Sequence, residues 1–256
     1  MNYTKERVTM KKIIEVCCGS VEDVINAEIG GADRVEFNSA LYLGGLTPSL
    51  ASLIYLKERV HIPIICMVRT RGAGFTYSQE DIEVMCMDAE LLLKHGADGL
   101  AFGALNSDRS IDIPTNKKLI DICHKYNKEF VFHRAIDCVD NPIESIETLI
   151  NLKVDRILTS GFRSTALEGL NNLKELESKY GHQIEFLMGD KVNSSNANKL
   201  IDESGINQIH SSCKTWVIDP STHNEYVSYA YGDYDSHYEC VDLDLVKQLV
   251  KTVKGD

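Results

Sequence analysis

The sequence predicts a closed (β/α)8 barrel, and three observations carry that expectation. Short β-rich runs alternate with amphipathic stretches along the whole chain, which implies a parallel sheet built from crossover units. A weak internal repeat recurs at Gly31-Ala-Asp-Arg-Val-Glu-Phe, Gly96-Ala-Asp-Gly-Leu-Ala-Phe, Lys153-Val-Asp-Arg-Ile-Leu-Thr and Gly205-Ile-Asn-Gln-Ile-His. Each copy ends a helix and opens an even-numbered strand, a rhythm of quarter barrels. The first strand, finally, ends in Glu15-Val-Cys-Cys-Gly-Ser and lacks the G-x-G-x-x-G loop that would open a dinucleotide-binding doubly wound sheet.

The elements follow in order. Strands are expected over Lys12–Cys18, Asp33–Asn38, Ile62–Arg69, Asp98–Gly103, Lys128–His133, Asp155–Thr159, Gln183–Met188 and Asn207–His210. Helical periodicity is clearest over Ser20–Ile29, Ser78–His95, Pro142–Asn151, Thr165–Lys179, Asn196–Glu203 and Leu243–Val253. Residues 11–256 read as one barrel domain, preceded by a charged ten-residue extension without the apolar core of a signal peptide. The stretch from about 214 to 240 breaks the rhythm with Tyr226, Tyr229, Tyr231, Tyr234 and Tyr238 among Gly, Asp and Ser. It reads as a hairpin packed over the barrel or against a second subunit.

Composition narrows the function classes. At 256 residues, 43% hydrophobic and 25% charged, the chain can bury a core and contains no run of the length and apolarity a membrane helix requires. A net charge of −11 without a basic stripe argues against a nucleic-acid partner. Eight cysteines scattered singly through strands and helices point to a reducing, cytoplasmic setting rather than to disulfides. Cys66, Cys86 and Cys123 read as small core hydrophobes, whereas Cys138, Cys213 and Cys240 fall in or near loops.

In such barrels, chemistry gathers at the C-terminal ends of the strands. Period-two alternation turns Glu15 and Cys17 inward on the first strand, and Arg34, Glu36 and Asn38 inward on the second. The third strand ends in Arg69-Thr-Arg71-Gly-Ala-Gly74, two guanidinium groups and a glycine loop suited to closing over an anion. The fifth ends in His133-Arg134-Ala-Ile-Asp137, and the eighth delivers His210. The candidate catalytic set is therefore Glu15, Glu36, Arg69, His133, Asp137 and His210, with Cys17 as a candidate metal ligand. The competing reading is an ion network of Glu15, Glu36, Arg34, Arg69 and Arg134 that merely plugs the barrel. Backbone amides after the sixth and seventh strands, near Thr159-Ser-Gly161 and Met188–Asn193, offer a weak phosphate site.

Ile14-Glu-Val-Cys17, Gly30–Glu36, Gly44-Gly-Leu-Thr-Pro-Ser49, Met67-Val-Arg69, Phe132-His-Arg-Ala135, Leu158-Thr-Ser-Gly161 and Ala166-Leu-Glu-Gly169 together resemble the CutC family, named for copper homeostasis. The resemblance implies a cytoplasmic barrel associated with copper, assembled as a homodimer or larger homo-oligomer. It matches the family's first-strand cysteine to Cys17. Where many members carry a cysteine ending the second strand this chain has Asn38, which removes half the soft ligands of a Cu(I) site. Two functions follow as expectations. One is a copper-binding protein. The other is an enzyme acting on a small anionic or sugar-like molecule, with Arg69 clamping the anion and His133 or Glu36 moving a proton.

Overall fold

In the computed structural model, which describes residues 11–229 and 236–255, eight parallel strands close into one barrel in the order of the sequence. The strands are β1 (Ile13–Cys18), β2 (Arg34–Phe37), β3 (Ile64–Met67), β4 (Gly99–Phe102), β5 (Glu129–Phe132), β6 (Arg156–Thr159), β7 (Glu185–Met188) and β8 (Gln208–Ser211). Between them run α1 (Val21–Ile29), α2 (Leu50–Lys57), α3 (Gln79–Lys94), α4 (Ile113–Lys125), α5 (Pro142–Asn151), α6 (Leu170–Tyr180) and α7 (Ala197–Ser204). After β8 an antiparallel pair, β9 (Lys214–Ile218) and β10 (His237–Val241), precedes α8 (Leu243–Lys254). The expected ten-residue extension lies outside the described residues, as do Tyr231 and Tyr234.

The repeat at the even strands has a physical cause. Its aspartates reach across to cap the neighbouring odd strand: Asp33 accepts the Ile14 amide at 3.0 Å, Asp98 the Ile64 amide at 3.0 Å, and Asp155 the Phe130 amide at 2.7 Å. In the fourth copy Asn207 instead donates to the Lys11 carbonyl at 2.7 Å. The residue before each turn, Gly31, Gly96, Lys153 or Gly205, has positive φ, the left-handed exit that a helix takes into such a turn. Helix starts follow capping chemistry equally closely. Ser20 accepts the Asp23 amide, and Ser78 with Asp81 forms a reciprocal box.

Two apolar layers result. Outward residues such as Val16, Cys18, Val35, Phe37, Phe102, Phe130 and Phe132 pack under the helices in one large cluster. Inward residues Ile65, Met67, Ala101, Val131, Leu158 and Leu187 fill the middle of the lumen. Below that plug, at the N-terminal end of the barrel, the lumen is ionic. Arg34 pairs with Glu15 and donates to Gln208 at 3.1 Å, Gln208 donates to Glu185 at 2.8 Å, and Arg156 joins Glu185 and Glu129 at 2.8 Å each. The expected ion network thus exists, with different members: Glu15 and Arg34 belong to it, and Glu36, Arg69 and Arg134 do not. Among the described residues no helix is long and apolar enough to cross a membrane.

Candidate functional site

A cavity of about 290 Å3 opens at the C-terminal end of the barrel. Its floor is made by Cys17, Glu36 and His210, its apolar wall by Met67, Leu158 and Phe75, and one side by His133 and Arg134. The β9–β10 hairpin supplies the roof through Lys214, Glu239 and Cys240. The two ends of the 214–240 stretch pair as antiparallel strands, and it is these ends that line the mouth. The hairpin is tied to α1, where Val241 donates its amide to Asp23 at 2.7 Å and Asn26 donates to the Val241 carbonyl at 3.2 Å.

Register explains the floor. Glu15 pairs with Arg34 across β1–β2, and Cys17 with Glu36, so the inward residues of the two strands stack in one column. His210 sits opposite Glu15 across β1–β8. One ligand atom from each of Cys17, Glu36 and His210 falls within 4.8 Å of the others. The Cys17 thiol donates to Glu36 at 3.7 Å, and the Asn38 amide nitrogen donates to Glu36 at 2.9 Å and to the Cys17 sulfur at 3.6 Å. Asn38 thus turns its nitrogen, not its oxygen, toward the cluster, and presents no donor pair to a cation there.

Electrostatics on the floor is set by burial and by two carboxylates of opposite fate. Burial alone would raise the pKa of Glu15, but Arg34, the bond from His210 and then Arg156 outweigh it and hold the carboxyl well below its ordinary range. Glu36 is raised, first by burial and then by the charge of Glu15. Cys17 is pushed far above the usual thiol value by burial and by Glu36. Burial works against the charged form of His210, yet the bond to Glu15 at 2.8 Å and the charge of Glu36 carry its pKa upward.

The other expected site residues part company. Glu15 lies beneath the floor and steadies His210. Arg69 is buried, and its two terminal guanidinium nitrogens donate to the carbonyls of Leu43 at 3.1 Å, Gly45 at 3.2 Å and Ala73, so it ties two loops together. Arg71 is likewise held by Asp81 at 3.3 Å and by backbone carbonyls, so the glycine loop is fastened. Asp137 faces away from the cavity. Its carboxylate accepts Thr159 Oγ1 at 2.6 Å, the Ser160 amide, the Phe162 amide at 3.1 Å and Arg134 at 2.9 Å. The chain's own carboxylate therefore fills the amide nest after β6, and the expected phosphate site does not form there. After β7, Asp190 pairs with Arg134, and the Lys191 carbonyl accepts from the Asn193 and Asn196 side chains. His133 lies on the cavity wall, but burial and then Arg69 lower its pKa to about 3, so it is a neutral ring and not a base near pH 7.

Sequence reasoning missed Phe75 and the hairpin residues Lys214 and Glu239. Phe75 stands within the loop after β3, whose glycines drew attention to flexibility, and the hairpin strands lack a strict alternation that would have marked their inner face.

Residues 12–215 match the model of the CutC family. A CutC family protein of Treponema denticola is 41% identical over 95% of this chain and all of its own length. The human protein named copper homeostasis protein cutC homolog is 42% identical over 79% of this chain and 74% of its own. Among solved structures, a CutC protein of Streptococcus agalactiae superposes with a TM-score of 0.74 at 26% identity, covering 78% of this chain and 98% of that one. Phosphoribosyl anthranilate isomerase of Thermotoga maritima, at 13% identity and a TM-score of 0.57, shares the barrel alone.

Proposed function

This chain belongs to the CutC family, and from that premise we propose that it takes part in copper homeostasis by holding a copper ion at its barrel mouth through Cys17, Glu36 and His210. The observation that carries the reading is the convergence of one thiol, one carboxylate and one imidazole within 4.8 Å at the floor of the cavity. A thiolate and an imidazole suit Cu(I), and the carboxylate adds charge rather than softness. The Glu15–His210 pair is the outer-shell arrangement that metal sites use: with Nδ1 bonded to Glu15 at 2.8 Å, Nε2 is left to face a metal. The eight thiols are unpaired, which supports a reducing, cytoplasmic setting.

Binding must displace protons. Cys17 is a thiol in the metal-free protein, and the raised pKa of His210 favours its protonated ring, so both give up a proton to a copper ion. Affinity therefore falls as pH falls. With Asn38 in place of a second thiolate, the site binds modestly for its type.

Anaerobic Cu(I) titration against a competing chelator tests this. One equivalent is expected in the wild type, with a loss of more than about tenfold in Cys17→Ser, since even outer-shell partners contribute that much. Asn38→Cys is expected to tighten the site. Equal affinities for wild type and Cys17→Ser would remove the reading.

A further inference from the structure

His133 follows β5 and caps the short 3-10 turn Arg134–Cys138. Its Nδ1 accepts the Ala135 amide at 3.2 Å, and a ring nitrogen that accepts carries no proton. In the neutral ring the proton therefore sits on Nε2. The residue is 4% exposed, Nε2 has no protein partner, and the ring forms part of the cavity wall, 5.1 Å from the Phe75 ring. A buried N–H donor without an acceptor is costly, so the ring's place on a cavity wall is complementary to an acceptor brought from outside.

The surroundings say which acceptor. A neutral ring supplies one directed donor and no charge, and the adjoining wall is apolar through Phe75, Met67 and Leu158. The cations that would neutralise a phosphate are committed: Arg134 carries Asp137 and Asp190, and Lys214 carries Glu239 at 3.0 Å. The amides after β6 already hold Asp137. We propose that this cavity binds a small carbonyl compound, whose oxygen accepts the His133 Nε2–H while its carbon skeleton lies on Phe75, Met67 and Leu158. A volume of about 290 Å3 admits a compact metabolite. This inference stands apart from copper, since His133 is not among the three clustered ligands.

Nitrogen-15 NMR of histidine-labelled, metal-free protein tests it, with hydroxyacetone, pyruvate and inorganic phosphate as probes. The free protein is expected to show His133 as the Nε2–H tautomer at neutral pH. At least one carbonyl probe should shift the Nε2–H resonance saturably, and His133→Phe should weaken that probe about tenfold, the worth of one hydrogen bond. His133→Gln, which keeps an N–H donor, should recover part of the loss. An Nδ1–H tautomer, shifts from phosphate alone, or no shift with either carbonyl probe would overturn the proposal. Because His133 also caps the Ala135 amide, the wild-type tautomer and titrations decide the matter if the Phe variant does not fold. Every arm is run without metal, so failure here leaves the copper reading intact, and the reverse holds too.

Discussion

Glu15 and His210 stand 195 positions apart and meet because β1 and β8 are the closing neighbours of the barrel. The inward assignments of Glu15, Cys17 and Glu36 were legible, because alternation on a short strand allows only two faces. The roles of Arg69 and Asp137 were not: both sit just past a strand, where side-chain direction depends on loops that no period describes. The two mouth histidines also diverge, with consequences for stability. His133 has a folded pKa of about 3, below its ordinary 6.5, so the unfolded chain takes up its proton first as the solution is acidified. Stability is then lost as pH falls below 6.5, by up to about 1.4 kcal/mol per unit. His210 is raised and has the opposite sign: its contribution is present below 6.5 and fades as pH rises through the folded value. Urea unfolding between pH 6.5 and 4.5, above the range in which Glu15 begins to lose its own contribution, should show a shallower acid slope in His133→Gln than in the wild type. Identical slopes would mean that His133 is not held neutral.

At the scale of elements, the hairpin is the piece that turns an open rim into a roofed cavity. A two-stranded sheet is marginal by itself and needs support from what it packs on. Here the support is α1, through Asp23: its two carboxylate oxygens accept the Val241 amide at 2.7 Å and the Gly19 amide at 2.9 Å. Asp23 reads in the sequence only as an acidic residue in a first helical turn, which is why its second task was invisible. The regular strands were legible because both sides of each are buried or alternate cleanly, whereas β9 is half-exposed along its length. Asp23→Ala leaves two amides without their acceptor, a cost of about 1–3 kcal/mol that falls mainly on the hairpin. Hydrogen exchange should accelerate across Lys214–Ile218 and His237–Val241 while β2 to β7 keep their protection. Equal acceleration throughout the barrel would show that Asp23 supports the whole fold and not this element.

Over the whole molecule, the lumen separates into an ionic base, an apolar middle and a polar mouth, with Glu15 touching both base and mouth through Arg34 and His210. Barrels commonly divide stability and function between their two ends in this way. Arg156 anchors the base: it is buried between Glu129 and Glu185, and these partners outweigh the burial that would otherwise lower its pKa. Removing one member of such a network strands the others, which typically costs about 3–5 kcal/mol. Glu185 is 55% and Glu129 29% exposed, so water screens the stranded carboxylates and Arg156→Met is expected to lower the unfolding free energy by less, about 1–3 kcal/mol. Copper affinity should meanwhile stay within about twofold, because the layer of Ile65, Val131 and Leu187 lies between the lost charge and Cys17 and additivity holds for separated sites. Joint loss of stability and Cu(I) affinity, measured on protein that remains folded, would mean that strain at the base reaches the mouth through Glu15, and the division between the two ends would fail.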